Sequence, residues 1–288
     1  MVSGAQERAH ASTPPAYRVC LIWPEENPHA ACFREVALLL VSSLLEMGYA
    51  CDLAVNQLSP ERINILLGYH LLRFEEGLKR FRYIPYQLEQ LGSEGFPFTR
   101  DMETVLRNAL EIWDFAPANR SFLKRLGLEI RLVLPGYHPN LERIPRLPMA
   151  ERDVDVLFYG SIGERRRHIL EALASRCRVK ALFGVYGEAR DQWISRARIV
   201  LNVHHYSRQL FEAVRVSYLL NNRCTVISEE GADVSYPRLG LACVPYEALA
   251  VTCLEALKDP GSLEALGERN YQAFKAWYPM TSSLGGVL

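Results

Sequence analysis

Residues 198–228, RIVLNVHHYSRQLFEAVRVSYLLNNRCTVIS, constrain the fold more than any other stretch of the chain. They open on an apolar run (Ile199, Val200, Leu201, Val203), pass a polar crest of His204, His205, Tyr206 and Ser207, and enter a helical pattern with Glu212 in its first or second turn. A second apolar run, 224–227, closes the stretch. Strand, crest, helix and strand in this order make a βαβ unit, whose strands lie parallel with the helix across one face. Ligands of such sheets gather at the carboxyl ends of the strands, so a ligand is expected at this crest.

The alternation runs through the whole chain. In the first half, strands are predicted at 18–23 (RVCLIW), 51–55, 64–67 (NILL), from 83, at IWDF and at 130–134 (IRLVL). Helices are predicted at 31–47, from 101 to about 110, and from Pro117 to 126, where Gly127 stops the pattern. Residues 135–153, PGYHPNLERIPRLPMAERD, carry four prolines and no apolar period, which marks a linker. Strands then resume at 154–159 (VDVLFY), at VKALF, in the 198–228 unit and at 241–244, with helices at about 166–176, 190–197, 249–257 and 263–277. The expected organisation is a disordered leader over 1–16, an amino-terminal domain over 17–135, a linker over 136–152, a carboxyl-terminal domain over 153–262, and a closing helix and tail over 263–288. Parallel strands alternating with helices place the chain in the α/β class.

At 288 residues and 49% hydrophobic content the chain can bury a substantial core. Its 33 basic and 33 acidic residues cancel, so no global field points to nucleic acid or an anionic membrane. Phosphate recognition must then come from local clusters. The most apolar run, 36–45, contains Ser42 and Ser43 and is bracketed by Glu35 and Glu46; it falls short of the roughly 20 residues of a membrane span and reads as a buried helix. Seven cysteines without a CxxC pair read as reduced core thiols of a cytoplasmic protein. Nothing in the sequence fixes an oligomeric state.

Gly160, Ser161 and Gly163 sit between a predicted strand and helix, with Arg165, Arg166 and Arg167 at the helix start. Such a turn lets backbone N–H groups approach a phosphate, although a tight turn beside a solvated basic patch has the same appearance. Gly184, Val185, Tyr186 and Gly187 repeat the arrangement one strand later, as a nucleobase slot or an ordinary turn. Glu212 shares a helix face with Arg215, Val216 and Leu219; a carboxylate there needs donors, either ribose hydroxyls or Arg215. His204 and His205 are adjacent on a strand end and diverge, which makes a poor metal pair. In the first half His70 is a candidate general base, with Glu25, Glu26 and Glu89 as rivals. No GxSxG elbow, P-loop or dinucleotide fingerprint occurs. Asp153 and Asp155 enter a strand at its amino end, opposite the crest, so no metal site is expected there.

Together, DVLFYGSIGERR, LFGVYG, RARIVLNVHHY, QLFEAVRVSYLLNN and VPYEAL resemble the donor-binding half of GT-B fold glycosyltransferases, nearest to small bacterial family-one-like and spore-maturation-type members. GYHLL, YQLEQL, IWDFAPAN and VLPGYHP echo the same group in the first half. The resemblance implies two Rossmann-like domains facing across a cleft, with the acceptor on the first, a nucleoside diphosphate sugar on the second, and a carboxyl-terminal helix, 263–277, crossing back. By position it places Gly160, Ser161, Gly163 and Arg165 at the diphosphate, Gly184, Val185 and Tyr186 at the base, and His204, Phe211 and Glu212 at the sugar and ribose. Many relatives carry Glu-x7-Glu. Here Glu212 matches the second position and His204 stands at the first, so His204 is an expected catalytic residue, beside His70 as the general-base candidate of the first half. The implied reaction is metal-independent transfer of a sugar to a small-molecule or glycan acceptor, with no cofactor besides the donor. A noncatalytic sugar-nucleotide-binding scaffold and a sugar-nucleotide epimerase on the same fold remain as alternatives.

Overall fold

The computed structural model describes residues 15–73, 76–92, 96–205, 210–231 and 235–288. Residues 1–14 of the expected leader, and Tyr206 and Ser207 of the crest, lie outside the described residues.

The first half contributes β1 (Tyr17–Leu21), α1 (Arg34–Glu46), β2 (Cys51–Val55), β3 (Ile63–Leu67), β4 (Tyr83–Gln87), α2 (Arg100–Arg107), β5 (Trp113–Asp114), α3 (Pro117–Arg125) and β6 (Arg131–Leu132). Its strands form one parallel sheet in the order β2-β1-β3-β4-β5-β6. Every residue of β3 and β4 is buried, as expected of parallel strands covered on both faces. The helix starts follow local chemistry: Thr99 Oγ1 accepts the Met102 N–H at 3.2 Å ahead of α2, and Pro117 occupies the first turn of α3. The helical stretch Pro28–Glu46 is 19 residues long and apolar enough to cross a membrane by length and composition. Its buried face, which includes Val36, Leu39, Leu40 and Leu44, packs on β1 and β2, the role of a core helix.

The second half contributes β7 (Val154–Tyr159), α4 (Glu164–Ala174), β8 (Val179–Leu182), α5 (Gly187–Ser195), β9 (Ala197–Asn202), α6 (Ala213–Asn221), β10 (Val226–Glu229), β11 (Ala242–Val244), α7 (Leu249–Ala256), α8 (Pro260–Trp277) and α9 (Met280–Gly285). Its sheet is again parallel, in the order β11-β10-β9-β7-β8. Two Rossmann-like units thus stand side by side. Several boundaries differ from expectation. β6 keeps only two ladder residues, although Ile130 and Val133 on either side are buried. α6 begins after Glu212, which is its N-cap residue and does not lie in its first turn.

The chain does cross back to the first unit, but later than expected. α8 packs on α6 and α7 and stays with the second sheet. The crossing is made at Tyr278 and Met280: the Tyr137 N–H donates to Tyr278 O at 2.7 Å and the Met280 N–H to Tyr137 O at 2.9 Å, after which α9 packs on α1. Glycine is required at 136, because a Cβ there would lie 2.4 Å from Tyr278 O. The proline-rich segment is firmly held as well. Glu142 accepts the phenols of Tyr137 (2.5 Å) and Tyr271 (2.6 Å) and pairs with Arg223 (2.8 Å). All seven cysteines are free; Cys20, Cys224 and Cys253 are buried, while Cys243 is exposed, contrary to a core position for every thiol.

Candidate active site between the two sheets

The carboxyl ends of both sheets enclose a cavity of about 330 Å³. Segments following β1, β4 and β5 form one wall, with His29, Phe33, Glu35, Leu88, Glu89, Gln90 and Phe115. Segments following β7, β8 and β9 form the other, with Gly160, Ser161, Gly184, Val185, Tyr186, His205, Phe211 and Glu212, together with Arg166, Arg190 and Arg215.

The second wall has an electropositive end built on Gly160. This residue has φ +132°, and a Cβ on it would lie 2.8 Å from Arg215 Nη2, so glycine alone permits the approach. Arg166, buried at the start of α4, donates from Nε to Val203 O (2.9 Å), from Nη1 to Ser161 O (2.9 Å) and from Nη2 to Glu212 Oε1 (3.3 Å). Arg215 donates from Nη1 to Asn202 Oδ1 at 2.9 Å, and its guanidinium lies over Phe158 and Tyr159. Glu212 accepts Asn202 Nδ2 at 3.0 Å and lies 2.9 Å from His204 Nδ1. Burial would raise its carboxyl pKa, but the contact with His204 and the charges of His204, Arg215 and Arg166 outweigh it and hold the group below its ordinary range. Glu212 is therefore an ionised carboxylate in a cationic surround, with His204 and Arg166 as its close partners instead of the Arg215 expected from helical spacing.

Of the residues expected at the donor, Ser161, Gly184, Val185, Tyr186 and Phe211 line the cavity. Three expected donor contacts do not. Arg165 turns away and forks onto Glu229 at 2.5 and 2.9 Å, with its guanidinium stacked 4.1 Å over Tyr246. Gly163 is the N-cap of α4 at φ −81°, a conformation open to any residue, and does not reach the cavity. His204 is completely buried behind Glu212 and reaches the cavity only through that carboxylate, which rules out its expected direct contact with a sugar. Among the described residues, Arg166 and Arg215 are the guanidinium groups at this end.

His70 is corrected similarly. It stands behind the first wall among the rings of Phe33, Tyr69 and Phe96, and burial pushes its pKa down to about 4. Its Nε2 lies 3.8 Å from Oε1 of Glu89, the residue that does line the cavity. Glu89 follows β4, and its carbonyl is pinned by Gln87 Nε2 and Asn119 Nδ2, both at 2.9 Å. Burial raises its carboxyl to about 7. Of the sequence rivals for a proton acceptor, Glu89 has the place and the acidity; Glu25 and Glu26 do not line the cavity.

Polar contacts bridge the walls. Glu35 of α1 pairs with Arg190 of α5 at 2.9 Å, His29 Nδ1 meets the Tyr186 hydroxyl at 2.6 Å, and Gln90 Nε2 donates to Leu210 O at 3.2 Å. Arg190 is buried, also binds Asp191, and was not singled out by sequence; its only signal was a lone Arg–Asp pair preceding Ile194 on the buried face of a helix. Asp153 pairs with Arg196, and Asp155 with Arg178 (2.9 Å) and Arg198 (3.3 Å), at the amino end of β7, as strand-start chemistry requires.

No family model matches the chain. It is 30% identical over 189 residues, 61% of its length, to uncharacterized protein L137 of Acanthamoeba polyphaga mimivirus, and the chain spans about a quarter of that relative (25%). Among solved structures it resembles AviGT4, a glycosyltransferase involved in avilamycin A biosynthesis, with TM-score 0.57 and 13% identity over 94% of this chain and 95% of that one. The phage T4 β-glucosyltransferase matches with TM-score 0.57 and 9% identity over 94% and 97%. The fold is GT-B. In a GT-B chain the two Rossmann-like units face each other across a cleft, which is where this cavity lies. This relative is viral; of the expected resemblance, the GT-B fold is shown and the small bacterial group is not.

Proposed function

We propose that the protein is a glycosyltransferase that binds a nucleoside diphosphate sugar on the second wall of the cleft and a hydroxyl acceptor, a small molecule or glycan, against the first. One observation carries the reading: within a single cavity, the Gly160 turn with Arg166, Arg215 and Glu212 faces a carboxyl group poised near neutrality, Glu89. In this reading the diphosphate lies against Gly160 and Ser161 and is neutralised by the two guanidinium groups. Glu212 accepts the ribose hydroxyls, Gly184, Val185 and Tyr186 receive the base, and Phe211 packs beside the ribose. Glu89 takes the acceptor proton as its oxygen bonds to the anomeric carbon; the bond from that carbon to the diphosphate breaks and its electron pair leaves with the diphosphate. A single displacement of this kind inverts the anomeric centre.

Arginine charge at the leaving group supports metal-independent transfer. The T4 enzyme has been solved with UDP and Mn2+, which makes chelation a direct comparison. The free thiols support a reducing, cytoplasmic setting. The test is nucleoside diphosphate release from a panel of sugar nucleotides with hydroxyl acceptors, with and without EDTA. Acceptor-dependent release supports the reading. Binding without turnover would favour a scaffold, and a sugar product formed without acceptor would favour an epimerase.

A further inference from the structure

His204 lies outside the cavity yet touches a group that lines it. Its backbone N–H donates to Glu229 Oε2 at 2.9 Å, and its ring is enclosed by acceptors. Nε2 lies 3.0 Å from the Glu230 carbonyl oxygen and Nδ1 lies 2.9 Å from Glu212 Oε2. A neutral imidazole carries one N–H; placed on Nε2 for the Glu230 carbonyl, it would leave an uncharged, unprotonated Nδ1 beside a carboxylate oxygen. The approach to Glu212 is bent from the ring's N–H axis, so this contact is mainly charge against charge. Glu212 has no need of its own proton, because Asn202 Nδ2 and Arg166 Nη2 already donate to its two oxygens at 3.0 and 3.3 Å.

We propose that His204 is a buried imidazolium at neutral pH and a positioning residue for Glu212, fixing that carboxylate where it accepts ribose hydroxyls and drawing it away from the cations of the diphosphate subsite. The positioning role rests on the glycosyltransferase reading; the charge of the ring does not. Among the described residues, the groups facing His204 are Glu212 from the α6 cap, Glu229 from the end of β10, the Glu230 carbonyl, and Arg165 of α4, whose Nη1 lies 3.5 Å from His204 O and which is itself forked onto Glu229. Arg166 and Arg215 stand on the far side of Glu212. Burial would discharge the ring; the close contact and charge of Glu212, with the charge of Glu229, outweigh it and raise its pKa above the ordinary imidazole value. Three cations then share one carboxylate at Glu212. This leaves the Gly160 end with a net positive charge matched to a diphosphate. Without the imidazolium, Glu212 is left to Arg166 and Arg215 alone and offsets more of the positive charge of the anion subsite.

Two measurements test this on the full chain. The first is the imidazole nitrogen spectrum without nucleotide from pH 6 to 9, with His204 assigned by the signals lost in His204→Gln. The expected result is a doubly protonated His204 ring at pH 7; a single neutral tautomer there overturns the proposal, and if the variant fails to fold, His204 is assigned by through-bond correlation of its ring to its backbone in the labelled wild type, so the wild-type spectrum still decides. The second is calorimetric affinity for UDP and GDP. In the wild type it weakens as pH rises through the His204 pKa, whereas His204→Gln, which keeps an amide donor without the charge, binds about tenfold more weakly at pH 6.5 to 7 and with a flat profile, the effect of one lost charge-assisted contact. Parallel profiles for the two proteins refute the positioning role. If neither nucleotide binds the wild type, the glycosyltransferase reading and the positioning role fall together, and the ring charge is still decided by the spectrum.

Discussion

Replacing Glu89 with glutamine separates chemistry from stability. Burial lifts this carboxyl from 4.5 to about 7, so the folded protein holds its proton more tightly than the unfolded chain does. Its contribution to stability is therefore greatest below pH 4.5, declines as the pH rises from 4.5 to 7, and stays low above. The full displacement corresponds to at most about 3 kcal/mol. A quarter of the side-chain surface (25%) is accessible, which reduces this to about 1–3 kcal/mol. Glu89→Gln removes the ionisation, so the variant should be the more stable protein at pH 8 by about 1–3 kcal/mol, with the two converging near pH 4.5. His70, held neutral across this range, supplies no counter-charge. Asp114, pushed up to about 8 by burial, titrates over an overlapping window, so the variant is compared with wild type at each pH. Activity should move the other way: transfer by the wild type rises with pH through about 7, and Glu89→Gln loses roughly 100- to 10,000-fold. Urea unfolding at pH 5 and 8, with initial rates of nucleoside diphosphate release, reads both. Transfer within tenfold of wild type, or a stability gap that is absent or reversed at pH 8, would refute the role of Glu89.

Other perturbations probe the remaining parts of the cleft. Gly160→Ala forces a side chain into left-handed backbone space and against Arg215, which should destabilise by about 1–3 kcal/mol and weaken nucleotide binding at least tenfold in calorimetry. Arg190→Ala leaves Glu35 and Asp191 buried without their shared cation and should cost about 3–5 kcal/mol in denaturant unfolding. Asp153→Asn breaks only an exposed pair with Arg196, so transfer rates and their response to EDTA should match wild type.

The layered architecture was legible because β3, β4 and β7 are short, mostly apolar segments and because Pro117 and Gly127 punctuate α3. α9 was not, since MTSSLG is six residues with no apolar period; its helix is secured by docking on α1. The crest of β9 was singled out, yet a strand end does not reveal which of two adjacent histidines turns inward. His204 does so because Glu229, Glu230 and Glu212 surround it. Arg165, Arg166 and Arg167 looked equivalent in sequence, although successive helix positions diverge by about 100°. Arg166 is chosen by the carbonyls of Val203 and Ser161, and Arg165 by Glu229, contacts set by neighbouring strands. Glu89 gave no periodic signal in YQLEQL; its acidity is a consequence of tertiary burial alone.

The central claim, that the Gly160 end of the cleft receives a nucleoside diphosphate, is tested most directly by calorimetric titration of UDP, GDP, ADP and dTDP into wild type and Glu212→Ala. The account expects at least one of these to bind the wild type and its affinity to fall by roughly 10- to 100-fold in the variant, the loss of charge-assisted hydrogen bonds to the ribose. Binding of none of the four, or equal affinity in the two proteins, would contradict it.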